Sequence, residues 1–377
     1  MKKIAFLLIP VLSLTLLHSS FASAQDAPAQ ITDPAVAIAF YESVVSSPEW
    51  QTTVSRAERG NMVQLPEDML SSMDTPALTE AVLEYPFFWD IYAFDDMQMG
   101  IDTMFETFNG VRELAQREDA GEVLLQKYMA EEVITDSQAE TLESSKVVQR
   151  VVRLSNLESL LAQECFLQKM DHDQLETLKE VVAEKYFVKC SSSEYGGFDA
   201  TFYKLIGNEE FFVNSAGVNV LDSKGYVYTP NGSEVAVDFI TRELSADAKI
   251  EMNNRYAVEY PDATLLRSAT CKYNCHSYAW YSQSSSNNVW MNDPSAYWND
   301  NSYTYRMIPN AGYKMVWYRN GHSGIVESVS DYIGPPSSAA FFAPFVTVVS
   351  KWGEYGLYRH SGDNSPYSIA QVSFYYR

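Results

Sequence analysis

The feature that most constrains this chain is a change of period along it. From Asp33 to about Lys189 the apolar residues recur at helical spacing, whereas beyond Cys190 they sit in short alternating runs between turn residues. Helices gathered in one part and strands in another specify an α+β protein rather than an alternating α/β one. Asp33-Pro34 reads as the cap and first residue of a helix that carries Val36, Ala39, Phe40 and Val44 inward. Asp74-Thr75-Pro76 opens another, with Leu78, Ala81 and Val82 on one side, and Tyr85-Pro86-Phe87 breaks it. Phe105, Phe108, Val111 and Leu114, then Leu124, Leu125 and Tyr128, continue the stripe. Val147, Val151, Leu154, Leu157 and Leu161 have the spacing of one shared core face.

Four segments follow from these textures. Residues 1–24 read as a secretory signal peptide: Lys2-Lys3, an apolar run from Ile4 to Leu17, and Ala22-Ser23-Ala24 as the cleavage site. The mature chain is therefore expected outside the cytoplasm and free of the membrane, because no other stretch is apolar enough to span one. Residues 25–190 form an acidic helical module, read as an interaction or positioning unit with a protein partner as one role. Residues 191–262 form a small β-rich connector, with strands at 225–229 and 235–239 and a helix from Ser245. Residues 263–377 form the last module, in which Lys314–Arg319, His322–Val329 and Phe345–Ser350 read as strands.

Charge separates these parts. Residues 25–263 hold 17 Lys/Arg against 43 Asp/Glu, while Thr264 onward holds eight against six. Phosphate binding needs clustered cations, so nucleic acid is excluded as a partner of the acidic part. Five of the seven Trp and three of the five His fall after residue 270, which marks the tail as the chemical module.

Within that tail, Asn274-Cys275-His276 puts a thiol on the first turn of a helix behind a good N-cap residue. Unpaired N–H groups and the helix dipole favour the thiolate there. Further on, Gly321-His322 leads into the apolar run Ile325-Val326-Glu327-Ser328-Val329. A cysteine on a helix start and a histidine at a strand start are the parts of an activated nucleophile. Other readings remain open for the same residues. Cys165 can pair with Cys190 in a disulfide, and Cys271 can pair with Cys275, which would end the nucleophile reading. Cys271, Cys275, His276 and His322 are also N/S donors suited to zinc, although the spacing matches no common zinc motif. Trp290 to Trp298 is either core or a flat platform for sugar or peptide.

The order Asn274-Cys275, then Gly-His-x-x-Ile-Val-Glu-Ser-Val at 321–329, then an alternating strand, resembles the CHAP amidase/peptidase family. That family and its NlpC-type relatives are papain-like cysteine hydrolases, and the resemblance covers about the last third of the chain. It implies a helix packed on an antiparallel sheet, Cys275 as nucleophile and His322 as general base. It also implies an amide bond of peptidoglycan, or another peptide amide, as substrate, with no cofactor or metal. CHAP-type domains place Glu or Asn on the strand after the histidine to orient the imidazole. The matching position here is Ser350, so Ser350, Glu354 or another residue takes that role, or the site does not turn over. The alternative to an enzyme is a secreted binding or effector protein that keeps the fold without catalysis.

Overall fold

Pro86 ends the helix Thr75–Leu83 and its short extension, and the chain turns into a 3₁₀ segment, Phe88–Ala93, that docks the helical part onto the tail. A computed structural model of the chain describes residues 30–53, 55–206, 223–317, 321–330 and 338–377. The segment 1–24 expected to be a signal peptide, the turn residues 214–217 and 222, and residues 318–319 of the expected strand lie outside them. The architecture is α+β, with helices over residues 35–206 and antiparallel sheet after 223.

Local sequence accounts for many of the helix starts. Asp74 accepts the Ala77 N–H, Ser245 the Ala248 N–H, and Asp171 forms a capping box with Gln174. Leu78, Ala81, Val82, Phe108, Val111, Leu114, Leu157 and Leu161 are all buried, as their spacing predicts. The first helix, Ala35–Val45, differs: it buries Ala37 and Tyr41, while Val36 and Ala39 face solvent. Tyr41 anchors that orientation by donating its hydroxyl to the Ala81 carbonyl.

The helix Ser144–Leu161 is the central rod of this part and carries Glu158, whose carboxylate is buried against Lys189 at 2.6 and 2.8 Å. Tyr128 donates its hydroxyl to the same carboxylate at 2.8 Å. Breaking such a pair strands a buried charge. Lys189→Met is therefore expected to lower unfolding free energy by about 3–5 kcal/mol. Adding Glu158→Gln should recover much of the loss, measured by denaturant titration.

The strands are β1 Ser223–Tyr228, β2 Glu234–Phe239, β3 Thr264–Arg267, β4 Val289–Trp290, β5 Thr304–Arg306, β6 Lys314–Val316, β7 Ser323–Val329, β8 Val346–Lys351, β9 Leu357–Ser361 and β10 Ser373–Tyr376. The large sheet runs β3-β9-β8-β7-β6-β10-β5, antiparallel throughout. β1 and β2 form a hairpin, and β2 also pairs with β4, so the connector strands are joined to the tail. Val227, Val235 and Val237 pack with Trp280, Val289, Met291 and Tyr297 in one buried cluster.

The helical part and the large sheet share a continuous apolar core that includes Leu157, Phe198, Tyr256, Trp352 and Phe374. The segment after Pro86 is pinned by the tail through its own carbonyls. Tyr355 donates its hydroxyl to Trp89 O, the Glu354 N–H reaches Tyr92 O at 2.9 Å, and Tyr367 donates to Ala93 O. Trp290 closes the series with an indole N–H on Asp95 O at 3.0 Å. Asp90 takes the Tyr256 and Tyr260 hydroxyls and the Arg56 guanidinium. These bonds fix where the next acidic residue, Asp95, stands.

Candidate functional site

Asn274 caps the helical turn that begins at Cys275 and continues as the π-helical turn Ser277–Tyr281. Its side-chain oxygen accepts the N–H groups of Ser277 and Met291, and its amide donates to Met291 O. Single π turns of this kind recur at functional sites. The turn packs on β7 and β8, which places Cys275 against the start of β7. There the Ser323 backbone N–H donates to Cys275 Sγ at 3.1 Å.

The nearest group to the thiol comes from the other end of the chain. Cys275 Sγ donates to Asp95 Oδ2 at 2.7 Å, and His276 Nε2 lies 3.0 Å from the same oxygen. His276 Nδ1 is 2.7 Å from Ser323 Oγ, which also accepts the Trp280 indole N–H at 2.9 Å. One assignment of protons accounts for every bond in this set. Trp280 donates to Ser323, the Ser323 hydroxyl donates to Nδ1, Nε2–H donates to Asp95, and the thiol donates to Asp95 as well. The resting thiol is protonated. Burial, the Asp95 charge and the bond to Asp95 hold its pKa well above the usual thiol range, against the Ser323 N–H.

His322 is fully buried and stacked on Tyr367, with ring centroids 3.5 Å apart, and on the edge of Trp317. Neither of its ring nitrogens has a hydrogen-bond partner among the described residues. Burial first, then the neighbouring His360 and His276, push its pKa well below the ordinary histidine value. A neutral imidazole with two idle nitrogens therefore stands next in sequence to Ser323, whose N–H touches the thiol. An orphaned buried polar group costs about 1–3 kcal/mol and calls for an explanation in function.

Ser350 stands elsewhere. Its hydroxyl is 2.7 Å from His360 Nε2 and accepts the Trp352 indole N–H at 2.9 Å. It orients His360, a buried residue of β9, and it leaves His322 unsupported. Glu354 is also buried, but its Oε2 has no partner among the described residues. It lines a cavity of about 480 Å³ with Asp95, Cys271, Trp290, Arg242 and Lys204. That cavity lies where the Phe88–Asp96 segment meets the tail, and Asp95 connects it to the thiol.

All four cysteines are free thiols. The expected Cys165–Cys190 disulfide does not form: Cys165 sits on the short helix Glu164–Leu167, and the helix His172–Cys190 that follows it carries Cys190 to its far end. Its 19 residues put the two ends roughly 27 Å apart at 1.5 Å per residue. Cys271 points instead at the Arg242 carbonyl and Glu243, and burial with the Glu354 and Glu243 charges pushes its pKa up to about 12. The four-donor zinc set is not assembled as such. Cys275 and His276 are grouped with Asp95, their ligand atoms all within 4.8 Å of one another. The Trp290–Trp298 stretch goes largely to packing: Tyr297 and Trp298 lie against Trp280, and Trp298 stacks on Tyr375.

Asp95 is the residue that sequence reasoning missed. It lies 180 positions from Cys275 in an acidic stretch, and the only local signal is that Asp95-Asp96 ends the aromatic run Phe87–Phe94. Comparison of the chain with protein-family models, with curated proteins and with solved structures finds no match.

Proposed function

We propose that the chain is an exported cysteine hydrolase whose residues 263–377 act as a papain-like unit, with Cys275 as nucleophile and His322 as general base. The observation that carries this reading is the Ser323 N–H on Cys275 Sγ, which seats a helix-borne thiol against the residue next to an unpartnered histidine. An amide bond is the target that suits such a pair, and the resemblance to CHAP domains suggests peptidoglycan as its source.

In the mechanism, substrate binding frees the thiol from Asp95 and its proton passes to His322. Sulfur then attacks the carbonyl, the leaving amine takes the proton from His322, and water releases the acyl group. The Ser323 N–H is placed to stabilise the thiolate. No ion pair is preformed in the resting site, since thiol and imidazole are both held neutral.

Cys275→Ala and His322→Ala should each reduce release of amines from purified cell walls or peptide amides by on the order of 10⁴-fold or more. Mass spectrometry should trap an acyl-Cys275 adduct in the native chain. Turnover that survives Cys275→Ala sinks the proposal. The pH profile gives a further check. Because the His322 pKa is depressed, the base stays neutral as pH falls through the ordinary histidine range. Activity is therefore expected to persist at pH ~6.5 and to fall only at lower pH, where the imidazole takes a proton.

A second reading is favoured by one observation: Cys275 has no exposed surface and its thiol is tied to a carboxylate. A binding or effector protein with a retired nucleophile fits that closed state. Such a protein gives no acyl adduct in the experiment above.

A further inference from the structure

The mechanism proposed above leaves two buried polar residues without a task. His276 and Asp95 are built around the thiol as carefully as any part of the site, yet neither attacks the substrate nor takes the thiol proton. Their chemistry is that of metal ligands. A thiol sulfur, an imidazole nitrogen and a carboxylate oxygen are the donor set that zinc prefers, and three protein ligands leave one tetrahedral position open.

The geometry supports this in three independent ways. The three donor atoms lie within 4.8 Å of one another, with Sγ and Nε2 at 2.7 and 3.0 Å from Asp95 Oδ2. Ligand atoms around tetrahedral zinc are about 3.2–3.8 Å apart, so loading asks for outward shifts below an ångström. Second, Asp95 Oδ1 is buried with no partner among the described residues, a free acceptor on a residue that lines the 480 Å³ cavity and so gives an ion a way in. Third, the other nitrogen of His276 is already held by Ser323 Oγ, itself fixed by Trp280. Outer-shell bonding of this kind orients metal-bound histidines.

We propose that Asp95, Cys275 and His276 bind a thiophilic divalent cation of the zinc class, and that the bound ion masks the thiol. The inference rests on the hydrolase reading for its consequence, inhibition, but not for the site itself. On loading, the sulfur–metal bond replaces the S–H bond and the thiol proton leaves to solvent. The His276 proton moves from Nε2 to Nδ1, where Ser323 Oγ accepts it, and the Ser323 hydroxyl hydrogen turns away. Thiolate and carboxylate together carry two negative charges, which the dication balances inside the protein. Removing the ion returns the proton to sulfur and restores the hydrogen-bonded set seen here.

The test uses the full mature chain after chelator treatment. Cobalt(II) titration should give one equivalent of binding with a thiolate-to-cobalt charge-transfer band. The same band should appear in His322→Ala, whose residue is outside the donor set. It should vanish in Cys275→Ser, and Asp95→Asn and His276→Gln should each weaken binding by at least about tenfold. Zinc should protect Cys275, but not the exposed Cys190, from iodoacetamide in the native chain. Absence of the band, or binding indifferent to Asp95→Asn and His276→Gln, overturns the proposal. Circular dichroism of each variant separates loss of ligand from loss of fold. These readouts do not depend on turnover. A chain that binds cobalt but yields no acyl adduct keeps the metal site and loses the hydrolase. A chain that turns over through Cys275 without binding metal does the reverse.

Discussion

In Asp95→Asn, Cys275 is expected to react with iodoacetamide at least about tenfold faster than in the native chain at neutral pH, each pKa unit being a tenfold change in thiolate. The carboxylate acts on the thiol in two ways, and both oppose ionisation. It accepts a hydrogen bond that only the protonated sulfur can donate, and its charge repels a thiolate at 2.7 Å. Asparagine keeps the shape and removes the charge. The Ser323 N–H then acts unopposed. Peptide mapping of chelator-treated protein across pH gives the rate at each cysteine, with the exposed Cys190 as internal reference. If alkylation of Cys275 slows instead, Asp95 is an activator of the thiol and the closed-state account is wrong. Linkage adds a second signature. A raised thiol pKa in the folded state contributes stability that is fully present below the unfolded thiol value of about 8.5 and is lost as pH climbs above it. Asp95→Asn should flatten that alkaline decline.

Gly353→Ala is expected to cost about 3 kcal/mol or more of unfolding free energy. Gly353 has φ +45°, and a Cβ there meets Tyr92 O at 2.2 Å and the Ala93 carbonyl carbon at 2.5 Å. Both contacts are backbone, so no rotamer relieves them. The strand-ending turn at Lys351-Trp352-Gly353 is where the sheet accepts the Phe88–Asp96 segment, and the methyl pushes that segment, with Asp95, away from the thiol. Gly312→Ala separates the two contributions. It has φ +85° with nothing within 4 Å of the new Cβ, and should cost only the backbone strain, about 1 kcal/mol. Equal losses in the two variants, measured by thermal or denaturant unfolding, defeat the claim that contact with Tyr92 and Ala93 dominates.

The parts of the molecule legible in the sequence are those set by neighbours along the chain. Asp74 and Ser245 cap helices because the acceptor and the N–H it serves are three residues apart. β2, β7 and β8 could be read because alternation and turn residues are local signals. The helix start at Cys275 and the strand start after His322 were readable as separate pieces, while the contact between them runs through the Ser323 N–H rather than through a His322 nitrogen. Asp95 was not legible, because nothing local distinguishes it from the other acids of a strongly acidic segment. Its role comes from carbonyls of residues 89–95 being bonded by Tyr355, Glu354, Tyr367 and Trp290, a relation across roughly two hundred residues or more. Ser350 misled for a related reason: counting along β8 finds the right strand, while His360 on β9 claims the hydroxyl. Among the described residues no helix is long and apolar enough to cross a membrane.

The strand order of the large sheet has a consequence for how the chain is made. β10, the last strand in sequence, lies between β6 and β5, which come some sixty residues earlier. During synthesis β5 and β6 emerge with a gap between them that only residues 373–376 can fill. Until then each offers an open row of N–H and C=O groups, the kind of edge that recruits other chains. Tyr375 stacks on Trp298, and Trp298 lies against Trp280 on the turn that carries the thiol, so the aromatic packing behind Cys275 is also finished last. A nascent chain that has not yet added residues 373–376 therefore has an unsealed sheet and an unbacked thiol at the same time, and those residues complete both.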